Sequence, residues 1–107
     1  ASDFESAHEE LLHCNEHAPD DLDVVFALAE ASVGIGDSEA AIILYERILA
    51  RFPDDVPTHL NLAHVFLSLN QTQRASLHFE TALLLAPDNP RARAGMTVVS
   101  QLNQSSK

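Results

Sequence analysis

Two consecutive segments of the chain share one pattern of large, small and turn-forming residues: residues 22–55, LDVVFALAEASVGIGDSEAAIILYERILARFPDD, and residues 56–89, VPTHLNLAHVFLSLNQTQRASLHFETALLLAPDN. The period is 34 residues. The matched pairs are Leu28 and Leu62, Ala29 and Ala63, Ile35 and Leu69, Ala41 and Ala75, Tyr45 and Phe79, Pro53 and Pro87, and Asp54 and Asp88. A fixed period of this length indicates a stack of similar structural units.

Each segment is expected to form a pair of antiparallel helices. The small side chains of Ala41 and Ala75 let the two helices approach closely, and an aromatic four residues later fills the space beside them. Pro53 and Pro87 end the second helix of each pair, because proline lacks an N–H and fixes φ. Between turns, no stretch shows the period-two alternation that would predict strands.

The Leu-Ala pairs, the small residues, the aromatics and the closing prolines resemble the tetratricopeptide repeat family over nearly the whole chain. The resemblance implies an all-α fold, a right-handed α-solenoid of antiparallel helix pairs with about six helices. Val25 and His59 depart from the family pattern, which has a bulky aromatic near the start of the first helix. Ser32 also departs, because its counterpart Phe66 supplies an aromatic.

The same register extends in both directions and predicts one domain. The predicted order is a second helix of a preceding repeat at 1–21, full repeats at 22–55 and 56–89, a first helix of a following repeat at 90–103 and a frayed tail at 104–107. Both end faces are those of interior helices and lack obvious polar caps. We therefore expect a fragment of a longer protein.

Charge limits the kinds of partner. The formal net charge is −10, and residues 1–21 contain seven acids and no Lys or Arg, whereas residues 90–107 contain Arg91, Arg93 and Lys107 and no acid. An acidic surface repels phosphate, so no nucleic-acid partner is expected. No run approaches the roughly 18 apolar residues that a membrane helix requires, so no membrane insertion is expected. The expected partner is a protein or peptide, basic or apolar in character.

The single cysteine, Cys14, excludes an internal disulfide framework and is predicted to be a small buried residue of the first helix. The compartment stays open for a soluble chain of this kind, with the cytoplasm slightly favoured.

The first helix contains the densest set of metal-binding side chains. Glu9, His13 and His17 are four residues apart and share one helical face. His8-Glu9 is followed by His13 one residue too late for the H-E-x-x-H zinc motif. Two helical histidines without a third strong ligand usually lie in solvent, so neither a metal nor a cofactor is predicted.

Enzyme activity is not expected. His59, His64 and His78 are predicted in different helices, with no serine or cysteine fixed beside them. A chain with three glycines has no glycine-rich phosphate loop.

Helices that are apolar on more than one side bury more than one side, and the first helix of each pair has this character. In the family that the chain resembles, the first helices line a concave groove that holds an extended peptide or a partner helix. By this register, the groove residues are Phe26, Glu30, Val33, Leu60, Asn61, His64, Leu67, Arg91 and Val98. The alternative is that the apolar members pack between neighbouring helices, and the sequence leaves this choice open.

Some family members clamp a terminal carboxylate with Lys, Arg and Asn in this groove. Asn61 and Arg91 are compatible with such a clamp, but Phe26, Glu30 and Gly95 occupy its other positions. Because Glu30 would repel a carboxylate, a clamp of this kind is not expected.

The function predicted from these patterns is a protein–protein interaction module or scaffold. Two alternatives stay open. The acidic first helix and basic last helix could stack head to tail between copies of the chain, or the chain could be a regulatory or targeting segment of a larger enzyme.

Overall fold

A computed structural model describes the backbone of residues 3–17 and 21–105, with side chains over 5–16 and 21–103. Its helices are α1 (Asp3–His17), α2 (Leu22–Gly34), α3 (Ser38–Arg51), α4 (Val56–Ser68), α5 (Thr72–Leu85) and α6 (Pro90–Ser105). The described residues contain these six helices and no strand, which confirms the predicted all-α class. The helices divide into two compact units, Ala1–Pro53 and Asp54–Lys107.

Short acidic side chains and one asparagine begin four of the helices. Asp21, Asp37 and Asp55 precede α2, α3 and α4, and each side chain accepts a hydrogen bond of 3.1 to 3.4 Å from a backbone N–H in the first turn. Asn89 caps α6 in the same way. These caps satisfy N–H groups that have no partner inside the helix, and aspartate also complements the positive end of the helix dipole.

We expect Asp55→Ala to lower the free energy of unfolding by about 1–2 kcal/mol. The Asp55 carboxylate accepts from both the N–H and the hydroxyl of Thr58, and Thr58 is fully buried, so its hydroxyl would lose its partner. Urea unfolding measures the change, with Asp54→Ala as the matched control at an exposed neighbour that caps no helix. Equal losses in the two variants would contradict the capping role.

Unit 1 is built on α2, against which α1 and α3 both pack. Its buried residues include Val25, Leu28, Ala41 and Tyr45, each at most 2% exposed. Ser32 is also fully buried, and its hydroxyl donates 2.9 Å to the carbonyl oxygen of Leu28. The polar residue that departs from the family pattern therefore has an internal hydrogen bond.

Cys14 is exposed on α1, so the prediction that it is a small buried residue is wrong. α1 packs against α2. A helix with one packed side leaves its opposite side in solvent. The repeat period alone did not predict which side of α1 faces solvent.

Unit 2 is built on α5, which packs against both α4 and α6. Ala63, Ala75 and Phe79 are fully buried, as expected for the small residues and aromatic of the repeat. Gly95 of α6 lies directly against Phe79, because a Cβ at residue 95 would be 2.2 Å from Cε1 of the ring. Gly95 is therefore a packing residue. Its register position had placed it among the clamp positions of the groove, but it does not line a surface.

The turns between the paired helices use the same position of the repeat. Gly36 after α2 has φ +87°, and Asn70 after α4 has φ +61°. Glycine and asparagine are the residues that tolerate this left-handed conformation best.

As far as the structure describes them, none of the helices combines the length and apolar character needed to span a bilayer.

Candidate partner-binding surfaces

In unit 1, the predicted groove residues Phe26, Glu30 and Val33 lie on α2 at spacings of four and three, which places them on one helical face. Phe26 is half-buried, with its ring edge-on to Tyr45 at 5.8 Å between centroids. Glu30 is exposed, and Val33 is 44% exposed. This face offers a partner one negative charge beside an apolar side chain.

In unit 2, the predicted residues of α4 differ in their exposure. Leu60 is 2% exposed, so it has no surface to offer a partner, and its burial agrees with the packing alternative for this residue. Leu67 is half-buried, while Asn61 and His64 keep part of their surface in solvent. Hydrophobicity at Leu60 could not distinguish a groove residue from a packing residue, because both roles require the same side chain.

A polar cluster of Asn61, His64 and Arg91 joins α4 to α6. The Arg91 guanidinium donates 3.0 Å to Oδ1 of Asn61. The His64 ring stands edge-on to Phe79, with 5.3 Å between centroids. Partial burial lowers the pKa of His64, and the positive charge of Arg91 lowers it further. At neutral pH the cluster thus carries the charge of Arg91 beside an uncharged imidazole.

Val98 lies on α6, seven residues after Arg91, and is 41% exposed. Two helical turns separate the residues, which keeps them on the same side of the helix. One side of α6 therefore combines a fixed positive charge with the exposed apolar side chain of Val98.

A pair of histidines in unit 2 was not predicted as a functional group. His59 and His64 share α4, so the expectation that the three histidines lie in different helices is wrong. His78 of α5 places its Nδ1 3.0 Å from Nδ1 of His59. The repeat contained a signal for this pair, because the counterparts of His59 and His78 in unit 1 are the apolar residues Val25 and Leu44.

Glu9 and His13 are exposed on α1, and the side chain of His17 lies outside the described residues. Over the part of the chain that the structure describes, no three His, Cys, Asp or Glu side chains lie close enough to hold a metal ion.

Residues 36–99 match a family model described as a tetratricopeptide repeat. Anaphase-promoting complex subunit 7 of Arabidopsis thaliana is 38% identical over 78 residues, which are 73% of this chain and 14% of that protein. The chain therefore spans about one seventh of this relative's length.

Two solved structures show the same fold. The first tetratricopeptide domain of Spaghetti (RPAP3), bound to the HSP90 peptide SRMEEVD, has a TM-score of 0.87 at 16% identity, covering 94% of this chain and 80% of that chain. A mutant O-GlcNAc transferase of Thermobaculum terrenum has a TM-score of 0.81 at 26% identity, covering 92% of this chain and 19% of that chain. These likenesses confirm the predicted class of an α-solenoid of helix pairs.

Proposed function

Because this chain belongs to the tetratricopeptide repeat family, we propose that it is a protein–protein interaction module that binds a peptide or a partner helix through its first helices, α2, α4 and α6. The observation that carries the proposal is the Arg91 to Asn61 hydrogen bond, which holds one positive charge on the same side of α6 as the exposed Val98. A positioned charge next to an apolar surface favours one orientation of the bound partner and excludes partners with the same charge.

The chemistry of each face suggests which residues of a partner it accepts. Glu30 and Val33 of unit 1 suit a basic residue next to an apolar one. Arg91 and Val98 of unit 2 suit an acidic residue and an apolar one. We propose that each unit by itself selects partner residues of this kind.

Two known proteins support a protein or peptide partner for this chain. One relative is a subunit of the anaphase-promoting complex, and one structural neighbour was solved with an HSP90 peptide. The acidic peptide of that neighbour is not proposed as a ligand here, because Phe26 and Glu30 stand at positions where a carboxylate clamp needs donors.

We expect Arg91→Glu to weaken binding of an acidic apolar peptide by about tenfold or more, since it places like charges opposite each other. The measurement is fluorescence polarisation with three labelled synthetic peptides that alternate leucine with glutamate, lysine or serine. Arg91→Glu should lower affinity for the glutamate peptide most. Circular dichroism of each variant establishes that the helix content is unchanged.

Arg93→Glu is the matched control, because Arg93 is an exposed residue of the same helix, two positions along and therefore on another side. It makes the same change of charge. If Arg91→Glu and Arg93→Glu weakened binding equally, only net charge would matter and the proposed surface would be wrong. Failure of all three peptides to bind the unmodified chain would also count against it.

Self-association head to tail is a second candidate, supported by exposed leucines near both ends of the described chain. Leu12 of α1 and Leu102 of α6 are each 42% exposed. α1 has the acidic residues Glu9 and Glu16 beside Leu12, whereas α6 carries Arg91 and Arg93. Light scattering over a range of concentration and salt distinguishes this candidate, because contacts between opposite charges weaken as salt screens them.

A regulatory or targeting role within a larger enzyme is a further alternative. The O-GlcNAc transferase shows that a chain with this fold can be part of an enzyme, since the match covers 19% of that protein.

A further inference from the structure

The His59 and His78 rings meet between α4 and α5 in a geometry that depends on protonation. Their Nδ1 atoms are 3.0 Å apart, with 5.3 Å between ring centroids. His59 is 7% exposed, and His78 is half-buried. A hydrogen bond across this distance requires that one Nδ1–H donates to a bare Nδ1. The contact therefore needs at least one imidazole without a proton on that nitrogen.

Aromatic packing holds His78 in place. Its ring stacks on Phe66 of α4, with an interplanar angle of 17° and 5.7 Å between centroids. The guanidinium of Arg74 lies 5.8 Å from the centre of the Phe66 ring. Stacking on Phe66 restricts the freedom of the His78 ring to turn away from His59.

Two carboxylates close in sequence to the pair accept hydrogen bonds from other residues. Asp55, which caps α4, accepts from Thr58, and Glu80 of α5 accepts from Ser76 at 3.3 Å. On α6, the positive charge of Arg91 acts on His64. Asp55 and Glu80 therefore each accept a hydrogen bond from a residue outside the His59–His78 pair.

We propose that the His59–His78 pair is an acid-sensitive latch between α4 and α5. At neutral pH the shared hydrogen bond joins the two helices. When both imidazoles are protonated, two N–H groups and two positive charges face each other at 3.0 Å, and the helix pair loosens. The latch does not depend on any bound peptide, so an experiment can contradict it without contradicting the proposed function.

The direction of the pH dependence follows from His78. Burial lowers the pKa of His78 in the folded chain, and the neighbouring His59 lowers it further. The unfolded chain then binds this proton more readily than the folded chain. Stability is fully present above the ordinary histidine pKa of about 6.5 and is lost as the pH falls from there through the lowered folded value.

The test replaces both histidines by the residues at the same repeat positions of unit 1, His59→Val and His78→Leu. Because the pKa of His64 is lowered as well, its titration has the same sign, so both proteins also carry His64→Gln. Thermal unfolding is followed by circular dichroism at pH 7.5 and pH 5.5. We expect the midpoint of the His64→Gln protein to fall by about 4 °C more than that of the triple variant. Equal falls would overturn the proposal.

A second measurement uses the unmodified chain and does not depend on any variant folding. Nuclear magnetic resonance follows the ring protons of His59 and His78 as the pH is lowered. We expect His78 to take up its proton below the ordinary histidine pKa of about 6.5, with chemical shifts of α4 and α5 changing over the same pH range. Protonation of His78 with no change in those helices would contradict the latch.

Discussion

Phe79→Ala is expected to lower the free energy of unfolding by about 3–5 kcal/mol, a large share of the stability of a domain of this size. Phe79 is fully buried on α5. It is contacted edge-on by His64 of α4 and closely by Gly95 of α6. Removing its ring would leave a cavity where all three helices of unit 2 meet, and neither neighbour has a side chain that could fill it.

Chemical unfolding in urea measures the loss, with Leu77→Ala as the control. Leu77 lies on the same helix and is 62% exposed, so its truncation should change stability by no more than about 0.5 kcal/mol. The comparison holds helix propensity nearly constant, because both variants introduce alanine into α5. If both variants lost similar free energy, α5 would not be packed through Phe79.

Gly95→Ala is expected to destabilise the chain although alanine is the better helix former. In an exposed helix interior, this change would gain about 1 kcal/mol. Here the new Cβ would lie 2.2, 2.4 and 2.5 Å from three ring carbons of Phe79. Because the Phe79 ring is fully buried, it cannot swing into solvent, and overpacking of this kind costs about 1–3 kcal/mol. The steric term should therefore exceed the gain in propensity.

Ala94→Gly is the matched control, since Ala94 is the exposed neighbour of Gly95 on α6. That variant should lose about 1 kcal/mol through propensity alone. Phe79→Leu makes room beside residue 95, so it should cost less in the Gly95→Ala chain than in the unmodified chain. A stabilising Gly95→Ala would mean that α5 and α6 are not in close contact at this point.

The contrast between these two positions shows how far the sequence could predict the core. Phe79 and its counterpart Tyr45 were expected to be buried because both follow a small alanine in each repeat, and both are at most 1% exposed. Gly95 has no such repeated signal, because its counterparts are Asn61 and Ala27. A side chain is excluded at residue 95 because α6 approaches the Phe79 ring of α5 closely. The sequence pattern does not specify this approach.

The candidate surface was predictable to a smaller extent. Helical register identified Glu30, His64, Arg91 and Val98 as first-helix residues, and each keeps surface in solvent. Register could not separate the buried Leu60 from the half-buried Leu67, since both are leucines on the same helix. Whether these residues bind a partner stays a prediction.

The sequence by itself determined the all-α class, the six helices and the alanines and aromatics of the core. These features follow from the 34-residue period and from the small and turn-forming residues at fixed positions within it. Only the tertiary structure decided that His59 meets His78, that Arg91 reaches Asn61, and that Gly95 must have no side chain. Such contacts depend on interhelical distances and rotamers, which a residue pattern does not specify.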